Sequence, residues 1–382
     1  MHVIGLISGT SADGIDGAAV RISGQGYRVS VDFLGGITVP YAAEVRSQIL
    51  AAAAGDPFSL EDLANLDDAI AQAFAAVAQQ LQDQYGKTDL IASHGQTVFH
   101  RPPQGGTLGY SLQLGRGEAI ADLTNRPVVS SFRQADIAVG GHGAPLVPPV
   151  DACLLRHPDR SRCVQNIGGI GNVAYLPAGA VSADRLPPIL GWDTGPGNTL
   201  IDIAVQQISR GSLSYDAEGA WAAQGTPCQR LVQRWLEHPY FQESPPKSTG
   251  RELFGWAYLD RCRQEAQAQG LSDADFLATL TEFTAASIAD SYRRFLPALP
   301  DEVLLCGGGS RNRFLRERLQ AHLGAIPVLT TDDSGVPADY KEAIAFAVLG
   351  FWRWHGVSSN LPTVTGARQA QPLGNLYEPA LL

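Results

Sequence analysis

Apolar and polar positions alternate from the first residues of the chain. "HVIGLIS" (2–8) and "GAAVRIS" (17–23) read as short strands joined through a glycine-rich turn, and "YRVSVDFLGGITV" (27–39) predicts a third, giving a hairpin-led sheet. The period then changes. Leu63, Leu66, Ile70, Phe74, Val77 and Leu81 follow at steps of three and four behind a Ser59/Asp62 capping pair, which predicts a helix. "DLIASHGQTV" (89–98) and "RPVVSSF" (126–132) predict two more strands, and "GGHGAPLVPPVD" (140–151) a loop.

Past that loop the pattern restarts. "RCVQNIGGIGNVAYLP" (162–177) is again strand, glycine turn, strand, and "PILGWDTGPGNTLIDIAVQQI" (188–208) is strand, glycine turn, helix, which points to an internal duplication. Ser212 to Gly255 is rich in Pro, Gly and polar residues and reads as an insertion near a site. "SDADFLATLTEFTAASIADSYRRFL" (272–296) predicts a helix capped by Ser272, and "EVLLCGGGSRNRFLRERLQAHL" (302–323) a strand, a triple glycine and a helix. "KEAIAFAVLGFW" (341–352) is an apolar helix that could return the chain to the first half, against which the Pro-rich last twenty or so residues close.

Length and composition narrow the picture. At 382 residues the chain exceeds the size at which one core keeps growing, so two lobes are expected, and 45% apolar with 17% charged residues is an ordinary globular balance. A formal net charge of −10, with no Lys/Arg stripe, argues against nucleic acid or an anionic membrane as partner. The longest apolar run, Ala343 to Trp352, is about half the ~20 residues that cross a bilayer, and Met1 to Thr10 carries no basic leader. Five cysteines without a CxxC pair fit reduced thiols, so the expected location is the cytoplasm. Eight histidines without an HExxH give no structural metal site.

Two familiar chemistries drop out. "YGKT" (85–88) looks like the end of a phosphate-binding P-loop, but Leu81 stands where its first glycine belongs, and no GxSxG elbow supplies a serine nucleophile. Glycine turns at strand ends remain: Gly9 to Gly14, Gly168 to Gly171, Gly195 to Gly197 and Gly307 to Gly309. Each alone is compatible with plain turn geometry. Together they suggest a nucleotide, because successive backbone N–H groups can hold phosphate without a basic patch.

The repeated strand–turn–strand halves and the late triple glycine resemble the actin, hexokinase and heat-shock-chaperone ATPase superfamily. More closely, "GLISGTSADGIDGAAV", "SHGQTVFHRP", "SFRQADIAVGGHGAPLVP", "QNIGGIGNV", "DTGPGN" and "CGGGSRN" resemble the anhydro-N-acetylmuramic acid kinase family almost end to end. "FRQADIAVGGHGAPLVP" and "DTGPGN" are the most specific of these motifs. The resemblance implies a two-lobed, duplicated α/β fold of the actin/hexokinase-like (ribonuclease H-like) type with an interdomain nucleotide and substrate cleft. The first lobe is expected at 1–136 plus 358–382 and the second at 137–357. The implied enzyme uses ATP and Mg²⁺, opens 1,6-anhydro-N-acetylmuramic acid with water and phosphorylates the freed O6, giving N-acetylmuramic acid 6-phosphate in peptidoglycan recycling. A homodimer is also implied.

Residue by residue, the resemblance makes Gly9, Thr10, Ser11, Ala12, Asp13, Gly14, Ile15 and Asp16 the first phosphate loop, with Asp13 and Asp16 holding magnesium through water. Ala12 stands where many relatives carry methionine, a change of packing and not of phosphate donors. Gly168, Gly169 and Gly171 would grip the same phosphates, and Gly307, Gly308 and Gly309 would pass the adenosine. Asp193 is the implied general base for the attacking water, although residue type alone allows it to cap the turn before the Asn198 helix. Glu342 would help hold that water, or complement the dipole of its helix. His94, Gln96, Arg133, Asp136 and, with the same ambiguity, His142 would meet the sugar or its lactyl carboxylate. Arg133 and Asp136 could instead pair and brace their loop. Two rivals stay open: a sugar kinase with an ordinary hydroxyl acceptor, and a partner-regulated chaperone-like ATPase.

Overall fold

A computed structural model describes residues 1–104 and 106–380. Its strands, in chain order, are β1 (His2–Ser8), β2 (Gly14–Gln25), β3 (Arg28–Pro40), β4 (Leu90–Arg101), β5 (Tyr110–Leu114), β6 (Val128–Ser130), β7 (Arg162–Ile167), β8 (Ile170–Leu176), β9 (Leu190–Pro196), β10 (Glu302–Cys306), β11 (Val328–Thr330) and β12 (Asn375–Tyr377). They form two sheets. The first runs β12-β6-β4-β1-β2-β3, with β5 paired to β4, and the second runs β11-β10-β7-β8-β9. In the first, β1/β2 and β2/β3 are antiparallel while β1/β4 and β4/β6 are parallel. In the second, β7/β8 and β8/β9 are antiparallel while β7/β10 and β10/β11 are parallel. The restart in the sequence is thus a repeated topology, in which β3-β2-β1-β4-β6 recurs as β9-β8-β7-β10-β11 and the first sheet adds β5 and β12, as expected of an actin/hexokinase-like chain.

Contacts divide the chain into two compact units. Unit 1 is Met1–Leu154, Val181–Ile189 and the chain from Tyr340 on; unit 2 is Leu155–Ala180 with Leu190–Asp339. The divisions fall later than 136 and earlier than 358, and packing explains both. The helix Lys341–Trp354 lies on β1, β2 and β4, so it belongs to the first sheet. Residues 181–189 join the same unit, where the Tyr27 N–H donates to the Ala183 carbonyl at 2.9 Å.

Alternation along β1 sets the layers of unit 1. Ile4 and Leu6 enter one core with Leu66, Ile70, Phe74 and Leu81 of the helix Leu60–Tyr85. Gly5 points to the opposite face, where a β-carbon would overlap the Ala343 carbonyl, so only glycine lets the helix Lys341–Trp354 approach so closely. The expected caps are present. Ser59 Oγ accepts from the Asp62 N–H at 3.0 Å, and Ser272 and Asp275 form a reciprocal capping box for the helix Asp273–Phe295. The segment 140–151, expected as loop, runs into the helix Pro148–Leu155. Ser212 to Gly255 holds the helix Gln229–Leu236, and the helix Trp256–Ala268 that follows buries Tyr258, Leu259, Cys262 and Ala266 on one face. Trp235, Tyr240, Phe241, Phe254, Tyr258 and Phe283 make the core there, several as edge-to-face pairs. Among the described residues, no helix is long and apolar enough to cross a membrane.

Candidate active site

In unit 1, β1 ends at Ser8 and β2 begins at Gly14, leaving residues 9–13 as the turn. Ser8 Oγ donates to the Gly14 carbonyl at 2.8 Å, and the Ala12 N–H donates to the Gly9 carbonyl at 3.2 Å. Ala12 and Ile15 are buried in the core, whereas Gly9, Thr10, Ser11 and Asp13 are exposed. The loop is therefore pinned by two apolar side chains and offers backbone and hydroxyls outward. Residue Ser8 pairs with Gln96 across β1/β4, and Gln96 Nε2 donates to the Gly9 carbonyl at 3.2 Å. Gln96 thus braces the turn between β1 and β2. Arg46, which the sequence did not single out, bonds Asp13 at 2.8 Å and the Ser11 carbonyl at 3.3 Å. Asp13 is engaged by a cation; Asp16 accepts from Thr38 Oγ1 at 2.6 Å and faces Glu342.

Glu342 is the second residue of its helix. Solvent reaches its side chain, but protein surrounds much of it, and that desolvation together with Asp16 and Asp151 raises its pKa against the pull of Lys341 and Arg133. Lys341 pairs with the buried Asp151 at 2.8 Å, fixing the start of the helix.

His94 and Arg133 form a pair, but not with a carboxylate. Arg133 Nε donates to His94 Nε2 at 3.0 Å and Arg133 Nη1 to the Gly143 carbonyl at 2.7 Å, while His94 Nδ1 meets the Gly95 carbonyl at 2.9 Å. Burial and the Arg133 charge push the His94 pKa well down, so the ring is neutral, with its proton on Nδ1. Burial lowers Arg133 to about 10, and it stays cationic. Asp136 is fully buried: Oδ2 accepts from the Gly143 N–H, and Oδ1 from Asn360 Nδ2 and Thr365 Oγ1, each at 2.8 Å. The brace is real, but it runs from Asp136 to the chain's last segment and not to Arg133. His142 sits in the same knot, its N–H donating to the Thr365 carbonyl at 2.7 Å.

In unit 2, β7, β9 and β10 point the same way, so the turns after them gather at one edge, the usual place for a ligand in such sheets. The N–H groups of Gly197 and Asn198 donate to the Gly169 and Gly168 carbonyls at 2.9 and 2.8 Å, and Asn198 Nδ2 donates to the Ile167 carbonyl at 3.1 Å. Gly307 follows β10 with φ 74°, and a β-carbon there would overlap Asn166 Oδ1. Gly309 presses on Ile167, while a β-carbon on Gly308 would only touch Asn198 Nδ2, at 3.8 Å. Gly171 lies within β8 against Thr194 and backs the turn. Thr199 Oγ1, buried beside Gly169, has no hydrogen-bond partner among the described residues.

Asp193, on β9 just before that edge, is not a helix cap. Its Oδ2 accepts from the Thr249 N–H at 2.9 Å, and the Asn198 helix has no side-chain cap bond. Burial raises its pKa to about 7, with Glu252 adding and the Thr249 N–H and Lys247 opposing. Lys247, Thr249 and Tyr240 all come from the segment 212–255; nothing in its Pro/Gly-rich sequence marks them individually.

Burial lifts the Asp193 carboxyl to about 7 beside an edge of glycine turns on a mixed sheet of repeated topology, an arrangement suited to proton transfer next to a bound phosphate. Residues 1–379 match the family model described as anhydro-N-acetylmuramic acid kinase. The chain belongs to that family, whose members are sugar kinases. It is similar to the protein named anhydro-N-acetylmuramic acid kinase of Trichormus variabilis, 60% identical over 99% of this chain and 97% of that one. It is 58% identical to the protein of that name from Microcystis aeruginosa, over 99% of this chain and 100% of that one. Among solved structures, component A of (R)-2-hydroxyglutaryl-CoA dehydratase from Acidaminococcus fermentans aligns with a TM-score of 0.48 at 10% identity, covering 92% and 98% of the two chains; so slight a likeness carries no function.

Proposed function

We propose that this chain is an ATP-dependent kinase of 1,6-anhydro-N-acetylmuramic acid in peptidoglycan recycling, and that Asp193 is its general base. The observation that carries the assignment is the Asp193 carboxyl, held by the Thr249 N–H and raised to about 7, in a family whose relatives bear that substrate in their names. Asp193 takes a proton from water as its oxygen bonds to the anomeric carbon. The bond from that carbon to O6 breaks, O6 attacks the γ-phosphorus, and ADP leaves with the bridging electron pair. One water and one ATP are consumed; N-acetylmuramic acid 6-phosphate, ADP and a proton result.

In unit 1 the exposed backbone of Gly9, Thr10 and Ser11 serves nucleotide binding, and in unit 2 the turns at Gly168/Gly169 and Gly307–Gly309 do so, chiefly through N–H groups. Arg133, partly buried and cationic, recognises the lactyl carboxylate, with neutral His94 setting its plane. For Mg²⁺, the facing carboxylates of Asp16 and Glu342 fit better than Asp13, which Arg46 already holds. The bound ion would neutralise charge on the transferring phosphate. The reading also includes a homodimer acting in the cytoplasm.

The test is ADP release with and without the anhydro sugar, in labelled water, with Asp193→Asn in parallel. Sugar-dependent turnover that is lost in the variant, and one labelled oxygen in the product, are expected. ADP released equally without sugar would overturn the kinase assignment in favour of a partner-driven ATPase.

A further inference from the structure

Three main-chain and side-chain contacts on Asp193 come from one stretch of the segment 212–255. Tyr240 Oη donates to the Asp193 carbonyl at 2.7 Å, the Asp193 N–H donates to the Lys247 carbonyl at 3.2 Å, and the Thr249 N–H donates to Oδ2 at 2.9 Å. After the short turn Pro239–Gln242 this stretch has no regular structure, and Pro245 and Pro246 remove two N–H donors from it. Something else must hold it. Lys247 does: its Nζ donates to the Tyr240 carbonyl at 3.0 Å, closing the segment on itself, and stands 4.6 Å from the Tyr240 ring centre and 4.5 Å from that of Phe295.

Lys247 is 8% exposed, a burial that lysine almost never accepts without an ionic partner. Among the described residues it forms no salt bridge; two aromatic faces and a carbonyl hold the ammonium instead. The aliphatic stem could be replaced by methionine at no cost in shape, so the charge itself needs a reason.

We infer that Lys247 is a positioning residue for Asp193, an ammonium caged by Tyr240 and Phe295 that locks residues 240–249 around the base and favours its ionised form. This rests on the reading of Asp193 as the base. The groups that face the two residues are Glu252 and Tyr240 around Asp193, and Glu243, Asp290 and Arg294 around Lys247. Burial brings the Lys247 pKa down to about 8, so the cage loses its cation just above the range in which the base becomes competent. The activity of the wild type is then bounded on the acid side by Asp193 and on the alkaline side by Lys247.

The experiment is the pH profile of kcat for sugar-dependent ADP release in the wild type, Lys247→Met, Lys247→Arg, Phe295→Leu and Asp193→Asn. In Lys247→Met, kcat falls, by up to about 100-fold if the base is displaced by about 1 Å. Its acid limb moves to higher pH, by on the order of one unit or less, because the cation that lowered Asp193 is gone. Lys247→Arg keeps a cation and returns the acid limb towards its wild-type position, while the alkaline limb disappears. If Lys247→Met does not fold, Phe295→Leu, which opens one face of the cage, must move the acid limb the same way.

A uniform fall in kcat with both limbs unmoved would reduce Lys247 to a structural staple and overturn the inference, and so would an unchanged profile. Those results with Asp193→Asn inactive leave the base assignment standing. Turnover retained in Asp193→Asn removes the assignment itself.

Discussion

Replacing Asp136 by asparagine tests whether this carboxyl holds the fold or the sugar. Oδ1 serves Asn360 and Thr365, and Oδ2 serves the Gly143 N–H. Asparagine keeps one oxygen, which stays with the two side chains, and turns an NH₂ towards the Gly143 N–H. Two donors then face each other at a site with no exposed surface. One stranded buried donor costs about 1–3 kcal/mol, so about 2 kcal/mol is expected. For a unit of this size that lowers its thermal midpoint by about 4–8 °C. Asp136→Ala strands three donors and should cost about 3 kcal/mol or more. The assay is calorimetric melting beside steady-state kinetics with the sugar varied. A melt unchanged from the wild type, with KM for the sugar raised several-fold, would refute the structural assignment and return Asp136 to the binding surface.

Two glycines of unit 2 should separate folding from nucleotide binding. Gly307→Ala meets both a φ of 74° and the Asn166 side chain, so it should lose at least about 1–2 kcal/mol in melting experiments. A β-carbon on Gly168 has its nearest neighbour at 3.7 Å, so Gly168→Ala should melt like the wild type but bind ATP more weakly in titration. Glu282, buried in the helix Asp273–Phe295, is pushed up by burial but further down, to about 2, by His322, Arg318 and Gln229. Its depressed pKa means that the stability it confers is complete above its ordinary value of 4.5 and is lost as pH falls from there towards 2. Urea midpoints of the wild type should therefore fall more steeply with acidity than those of Glu282→Gln; parallel curves would contradict this.

What was legible in the sequence was local. Ser59 with Asp62 and Ser272 with Asp275 are caps whose partners lie within one turn, and the glycine turns announce themselves at strand ends. The repeated strand order could be anticipated because each half spells strand, turn, strand before its helices. The contacts that define the site are not local. Gln96 reaches Gly9 only because β4 lies beside β1, and Asp136 meets Thr365 only once the far end of the chain has returned to unit 1. Thr249 and Lys247 meet Asp193 through an irregular segment whose composition fits a lid, an interface or a plain loop equally well. The expected limits at 136 and 358 missed the flanking pieces for a related reason. The helix Lys341–Trp354 is apolar on nearly every side, so periodicity cannot tell which sheet it covers.

The interleaving of the two units has a consequence for how the protein is born. On a ribosome, β1 to β6 emerge first but lack the helix that covers one face of their sheet, since Lys341–Trp354 and β12 are made last. Unit 2 emerges whole in between. Chain elongation at roughly 5–20 residues per second leaves the apolar face of β1, β2 and β4 uncovered for many seconds, far longer than local folding takes. During that interval the apolar face of the first sheet stays exposed, a liability that the second sheet, whose strands and covering helices are synthesised together, does not share.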